Sequence, residues 1–512
     1  MDTERETDSY KKTHHSSLNV FAMMIWPEYF NITTIVVGVV TFCLLAALIL
    51  RPKNSPPGPW GVPIFGCIPY FIFSRRTGRK IFEDWYHRYG PIYNTKVGAI
   101  NVVVLNEIEG FKEAFGNPEF QGRLPVDFML GRAGEGIVMS DGRAWQEQRK
   151  FVHQHFRDFG VGKSSFEDSI AAEAEALTDA LLKLEGQSVC LEHLINNAVC
   201  NVISSVSFGR RFDYDDKSLQ TVLEMLKETV ESSALQLVLS VLFPITKYIP
   251  FGGSNQIRQK VQIYFKFLDK LVSEHKAKLD ETNIRDVMDA YLIEMKKDNG
   301  NSDIFNDDNM VFTVGDLFGA GTETTTLTLL WIILFLLKNP EAEAKVRAEL
   351  GRVVGRNRLP RYSDRSNLPY IEAVISESLR LGTVSSVGIP HVASSNSTLQ
   401  GYFIPKGTLL LPNFHALFTY TGKWEEPEEF RPERFLDKVG NFVRREDFIP
   451  FSIGRRQCIG EQLARMEIFI FLTHTMHKFA LSVPEGHDPS VEGVGFTHKP
   501  QSYNVLIRKC ED

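Results

Sequence analysis

"FSIGRRQCIG", Phe451 to Gly460, sets one cysteine among arginines and glycines near the end of a 512-residue chain. The next stretch, "EQLARMEIFIFLTHTMHKF", has helical spacing, so Cys458 falls at or just before a helix N-terminus. Positive neighbours lower a thiol's pKa, and Arg455 and Arg456 stand beside it. The helix dipole favours an anion at the same place. Gly454 and Gly460 allow a tight turn and close backbone approach. The pattern suits a thiolate metal ligand. A structural zinc site needs three further ligands, and no cysteine or histidine cluster stands nearby. An inert buried thiol is the competing reading.

Working outward, the six cysteines (43, 67, 190, 200, 458 and 510) show no CxxC pairing, which argues against a disulfide framework and for a reducing compartment. The net charge of -6 carries no basic excess, so a nucleic-acid partner is not expected. From Tyr29 to Leu50 there is no charged residue. As a helix, residues 31–50 would be about 30 Å long, the thickness of the hydrocarbon layer. Arg51 and Lys53 follow directly and favour a cytosolic downstream side. Then come five prolines between Pro52 and Pro63, which make a stiff, extended hinge. The expected order is an N-terminal extension (1–30), a transmembrane anchor (31–50), a hinge (51–63) and a catalytic domain (64–512).

Helical patterns dominate that domain, as in "SSFEDSIAAEAEALTDALLKL" and "NPEAEAKVRAEL", where Asn339 is the expected N-cap. Short strands are expected in "PIYNTKVGAINVVVL" and "LQGYFIPKGTLLL". The fold class is mainly α with small β-sheets. The longest helix is expected from about Asp308 to Lys338. Its middle holds Gly315, Gly319 and Gly321, and each glycine costs a helix roughly 1 kcal/mol. Close helix packing is one explanation. The sharper one is a ligand lying against the backbone. His153 and His155 read as ordinary residues of another helix.

The pattern F-x-x-G-x-R-x-C-x-G, met by Phe451, Gly454, Arg456, Cys458 and Gly460, resembles the haem-binding loop of the cytochrome P450 superfamily. By average residue usage it should arise by chance on the order of once in 10,000 such chains. "AGTETT" (320–325) is similar to the family's oxygen-binding stretch, "ESLR" to its ExxR motif, and "PERF" to the segment before the cysteine loop. The hinge resembles that of the microsomal branch, clan 2. The resemblance implies haem b (iron protoporphyrin IX) between the long helix and the cysteine loop, with Cys458 as axial ligand. It places Ala320, Gly321, Phe451 and Gly460 against the haem. It assigns Arg123, Trp145, Arg149, His391 and Arg456 to the propionates, and a buried charge network to Glu377, Arg380 and Arg434.

It further implies a monooxygenase. Thr324 and Glu323 would deliver protons to dioxygen, the hydroxyl of Thr324 bonding the carbonyl of Ala320 and loosening that turn. Phe128, Val138, Met139, Phe312, Val387, Ile389 and Phe496 would line an apolar cavity for a lipophilic substrate. The chain shows no clear dinucleotide fingerprint, so electrons are expected from NADPH–cytochrome P450 reductase, with cytochrome b5 as an option, on the endoplasmic reticulum membrane. Arg143, Arg149, Lys150 and Arg455 are candidates for the docking face.

Overall fold

A computed structural model describes residues 34–41, 51–124, 135–231, 254–297 and 302–510, apart from positions 75, 99 and 496. In chain order, the elements that position the site begin with α1 (Gly78–Tyr89), the strands β1 (Ile92–Val97) and β2 (Ile100–Leu105), and α2 (Gly142–Asp158). Next come α3 (Ser164–Leu182), α4 (Glu192–Phe208), α5 (Ser254–Lys278), α6 (Asp307–Lys338) and α7 (Pro369–Gly382). The strands β3 (His391–Val392) and β4 (Leu409–Pro412) and the helix α8 (Glu461–Lys478) complete the set.

The β part is a four-stranded sheet in the order β1-β2-β4-β3. The β-branched run "INVVVL" makes β2 a central strand, buried from Val102 to Leu105. It pairs antiparallel with β1 and parallel with β4, Val102 opposite Leu409. Between those parallel strands the chain builds α2 to α7, and α8 follows β4. β3 pairs antiparallel with β4, which fixes His391 opposite Leu410.

The helical body is organised by α6. Asn306 caps it by accepting from the N–H of Asn309 at 2.9 Å, and Asp307 and Asp308 meet the positive end of the dipole. Its 32 residues extend about 48 Å, and α4, α5, α7 and α8 pack around it. Among the described residues it is the one helix long and apolar enough to cross a bilayer, yet it is the core of the domain. Residues 34–41 are helical, with Ile35, Val36, Val37, Val39 and Val40 about half exposed. Residues 1–33 and 42–50, and with them most of the expected anchor, lie outside the described residues.

Asn339 stands at the N-cap of the helix that starts at Pro340, as expected, but its side chain makes no capping hydrogen bond. Its amide donates instead to the Phe335 carbonyl at 2.7 Å, closing the end of α6. The glycines of α6 answer to packing. A Cβ at Gly315 would lie 2.9 Å from Leu268 of α5, and one at Gly321 would lie 3.0 Å from Ile203 of α4. Gly321 therefore has its bare face toward a neighbouring helix.

Candidate active site

The loop before α8 is built on backbone that only glycine tolerates at one position. Gly454 has φ +78°, and a Cβ there would stand 2.4 Å from the Phe115 carbonyl oxygen. The loop closes when the N–H of Cys458 donates to the Phe451 carbonyl at 2.9 Å. Gly460 is the N-cap of α8, so Cys458 sits just outside the helix start. The cysteine borders open space, but dense surroundings limit its solvation. Burial pushes the thiol up, while the Gly460 N–H and the Arg149 charge act the other way.

The positive charge acting on this thiol is Arg149, contributed by α2, and the Glu461 carboxylate opposes it. Its guanidinium donates to the Gln457 carbonyl at 2.6 Å. Arg455 is exposed. Arg456 turns away, donating to the carbonyls of Gln121 (2.9 Å), Ser140 (2.7 Å) and Ile137 (3.2 Å). It also stacks 3.8 Å above the Trp145 ring. The sequence placed the charge on residues adjacent in the chain; the fold supplies it from one turn beyond Trp145 on α2.

The cysteine loop and α6 share a spacer. Ile137 and Val138 both donate their N–H groups to Oδ2 of Asp316 on α6, each at 2.8 Å, while the Ile137 carbonyl accepts from Arg456. Phe312, Asp316, Ala320 and Thr324 follow one another at i+4 spacing along α6. In a helix otherwise largely buried, Ala320 and Thr324 are exposed. The Thr324 hydroxyl donates to the Ala320 carbonyl at 2.8 Å, and Glu323 is buried beside it. Asp316 was not singled out from sequence. An acid four residues before Ala320 in an apolar helix was the available signal.

The residues expected at the propionates fall in one neighbourhood. Arg123 donates to the carbonyls of Val138 (3.0 Å), Ile389 (3.3 Å) and Pro390 (3.0 Å), tying two wall segments together. The ring of His391 stacks on Phe115 with centroids 4.4 Å apart, and Nδ1–H donates to the Phe120 carbonyl at 2.7 Å. Burial, then the Arg123 charge, pushes His391 down to about 3. Burial, reinforced by Arg123 and Arg149, lowers Arg456 to about 9. Among the described residues no carboxylate forms an ion pair with Arg123, Arg149 or Arg456. The indole N–H of Trp145 is buried without a partner.

Behind the cysteine loop, Glu377 and Arg380 of α7 form a fully buried pair, with both contacts at 2.8 Å. Arg434 reaches the same carboxylate at 3.2 Å. Arg380 also donates to the carbonyls of Phe418 and Pro427 at 2.8 Å, which fixes the segment leading into the cysteine loop. On the cavity side, Met139 and Ile389 are each about 40% exposed, Val138 and Val387 are half-buried, and Phe312 is buried against Phe265. Phe128 and Phe496 lie outside the described residues.

Residues 56–507 match the family model described as Cytochrome P450. This chain belongs to the cytochrome P450 family. It is 37% identical to human cytochrome P450 2J2 over 481 residues, covering 92% of this chain and 95% of that protein. It is 35% identical to bovine cytochrome P450 2U1 (92% and 94% covered) and 37% identical to guinea-pig cytochrome P450 2D16 (90% and 95% covered). As a P450 it is a monooxygenase whose cofactor is haem, acting on a small molecule with O2 and a redox partner. The site suits that cofactor. Three guanidinium groups without ion-pairing carboxylates and one unpartnered indole N–H match two propionates, because guanidinium groups bind carboxylates strongly. An accessible thiol at a helix start matches an iron ligand.

Proposed function

We propose that this P450 inserts one atom of O2 into a lipophilic substrate (a fatty acid, steroid or xenobiotic) by hydroxylation or epoxidation. The observation that carries the reading is the accessible pair Ala320 and Thr324 on the core helix, joined through Ile137 to the loop of the accessible Cys458. Haem iron bound through a thiolate supplies O–O cleavage chemistry. In this reading Cys458 is the axial ligand, flanked by Phe451 and Gly460. Arg123, Trp145, Arg149, His391 and Arg456 hold the propionates, and Ala320 gives the haem face room.

The protein's own part is proton delivery and exclusion of water. The Thr324 hydroxyl donates its hydrogen to Ala320 and leaves its oxygen free to accept a hydrogen bond from water or from a protonated oxygen species. Glu323, one residue away, carries protons inward. The apolar wall of Val138, Met139, Phe312, Val387 and Ile389 favours a hydrophobic substrate and keeps bulk water from the site.

Two electrons come from NADPH–cytochrome P450 reductase, with cytochrome b5 as an option. The exposed cations Arg143, Lys150 and Arg455 lie on α2 and the cysteine loop, and are the docking candidates. Residues 31–50 anchor the chain in the endoplasmic reticulum membrane with the catalytic domain in the cytosol. The half-exposed valines of residues 34–41 support that anchor. The test has two parts. The reduced, carbon monoxide-treated protein should show the strongly red-shifted Soret band of thiolate ligation. Product should then form with NADPH and reductase. A Soret band at the position of neutral-ligand haem, or product from a lipid hydroperoxide without reductase, would overturn the assignment.

A further inference from the structure

Two glycines of α6 turn their bare faces to one tyrosine of α5. A Cβ at Gly315 would lie 3.4 Å from the Tyr264 ring, and one at Gly319 would lie 3.5 Å from its oxygen. The Tyr264 hydroxyl donates to the Gly315 carbonyl at 2.6 Å. In the helical ladder that carbonyl is also the acceptor for the Gly319 N–H. The same N–H lies close enough to the phenol oxygen to favour its ionised form. The hydroxyl is thus wedged at one rung of α6. Burial, then the nearby Asp316 charge, still holds the phenol well above its usual range, so it keeps the hydrogen it donates.

A helix face without side chains offers no ridge to fix its rotation against a neighbour, so polar ties take that part. On the surface Lys276 of α5 pairs with Asp307 at the start of α6, at 2.7 Å. Tyr264 makes its tie next to the site. Asp316 follows Gly315 directly and accepts from the N–H groups of Ile137 and Val138. One turn beyond Asp316 is the Ala320 carbonyl, which accepts from the Thr324 hydroxyl at 2.8 Å. A side chain inserted into the ladder is a known cause of helix bending, and a threonine bonded to the i−4 carbonyl is another. The segment from Gly315 to Thr324 therefore has a hydroxyl competing for a main-chain carbonyl near each end, and one of the two comes from another helix.

We propose that Tyr264 is a positioning residue for Thr324. Its hydroxyl fixes the rotation of α6 about its own axis between Gly315 and Thr324, and so sets where the Thr324 hydroxyl is presented. Tyr264 acts through α6 and not on the reacting atoms; no bond is made or broken at it. This role rests on the monooxygenase reading, in which Thr324 delivers protons.

The test uses Tyr264→Phe in the full-length, haem-loaded protein, which removes the hydroxyl and keeps the ring. The Gly315 carbonyl keeps the Gly319 N–H, so no buried acceptor is orphaned. Amide hydrogen exchange should quicken about two- to tenfold over residues 315–324, the range set by one neutral hydrogen bond, and stay unchanged from Trp331 onward. With reductase and NADPH, the ratio of product to NADPH should fall by a similar factor. The probes are dodecanoate, testosterone and 7-ethoxycoumarin, and the ratio is read with whichever the wild type oxidises. In a Thr324→Ala background, Tyr264→Phe should lower the ratio no further. Unchanged exchange over 315–324, or an unchanged ratio, would overturn the proposal. So would an equal fall with and without Thr324, which would make Tyr264 a strut between the two helices. The wild type separates this role from the reading beneath it. A wild type lacking the red-shifted carbon monoxide band, or oxidising none of the three probes, would refute the monooxygenase reading and the role of Tyr264 with it.

Discussion

Replacing Glu377 with alanine tests the architecture behind the cysteine loop. Oε1 of Glu377 accepts from Arg380 Nη2 (2.8 Å), the Arg431 backbone N–H (2.9 Å) and Arg434 Nε (3.2 Å), and Oε2 accepts from Arg380 Nε (2.8 Å). Both Glu377 and Arg380 have no exposed side-chain surface. Alanine removes four acceptor contacts and leaves the Arg380 cation enclosed, its remaining partners being the carbonyls of Phe418, Pro427 and Glu429. Breaking a buried pair from one side costs about 3–5 kcal/mol. Whole domains are stable by only about 5–15 kcal/mol, so the loss is about a fifth of the total or more. Urea unfolding followed by tryptophan fluorescence measures it, and haem content measured as the pyridine complex reports the consequence for the loop. Glu377→Gln should also be destabilising: with its oxygen in the Oε1 position, its amide hydrogens face Arg380 Nε. A Glu377→Ala protein with full haem content and a loss below about 1 kcal/mol would refute the reasoning, since that is the scale of an exposed ion pair.

Thr324→Ala removes the hydroxyl bonded to Ala320 and should lower the ratio of product formed to NADPH consumed, with haem content unchanged; an unaltered ratio would remove Thr324 from proton delivery. Gly454→Ala sets a Cβ against the Phe115 carbonyl at a backbone angle that L-residues rarely adopt, a strain of about 1–3 kcal/mol; it should lower the urea midpoint and the haem content, and an unchanged midpoint would count against a rigid loop. For Asp316, burial raises the carboxyl to about 6 against the opposing pull of the Ile137 and Val138 N–H groups. A carboxyl whose folded pKa lies above its unfolded value near 4 binds its proton more tightly when folded, so stability falls as pH rises from about 4 to 6 and then levels off. Asp316→Asn keeps an oxygen for both N–H groups and should flatten that segment of the urea-midpoint curve; identical curves would show that Asp316 does not titrate there.

The cysteine loop and the long helix could be read from sequence because local chemistry fixes both. Gly454 and Gly460 bracket Cys458, and a run of apolar residues with a capping asparagine delimits α6. The carboxylate of Glu377 and its arginines could be placed only through a resemblance, since an i,i+3 pair looks the same on a surface as in a core. What the sequence hid was direction. Arg456 is two residues from Cys458 but turns to the carbonyls of Gln121, Ile137 and Ser140, while Arg149, some three hundred positions earlier, faces the thiol's loop. Gly321 is three residues from Thr324 in sequence, but its bare face meets Ile203. The rotation of a residue about its helix depends on packing partners far away in the chain. The role of Asp316 depends on residues 137 and 138, which no periodicity connects to it.

The distribution of charge carries a further consequence. Arg123, Arg149 and Arg456 are drawn together around His391 and Trp145, their N–H groups bonded to backbone carbonyls. Carbonyl dipoles solvate a guanidinium but leave its charge uncompensated, and burial lowers all three below the usual arginine range. On the reading proposed above, the two carboxylates of haem would supply the missing counter-charge. Anything that binds the folded state alone stabilises it in proportion to the logarithm of its concentration over its Kd. The cofactor is therefore part of the energetic balance of the fold, and the propionate arginines are expected to be the place where the haem-free chain is least stable.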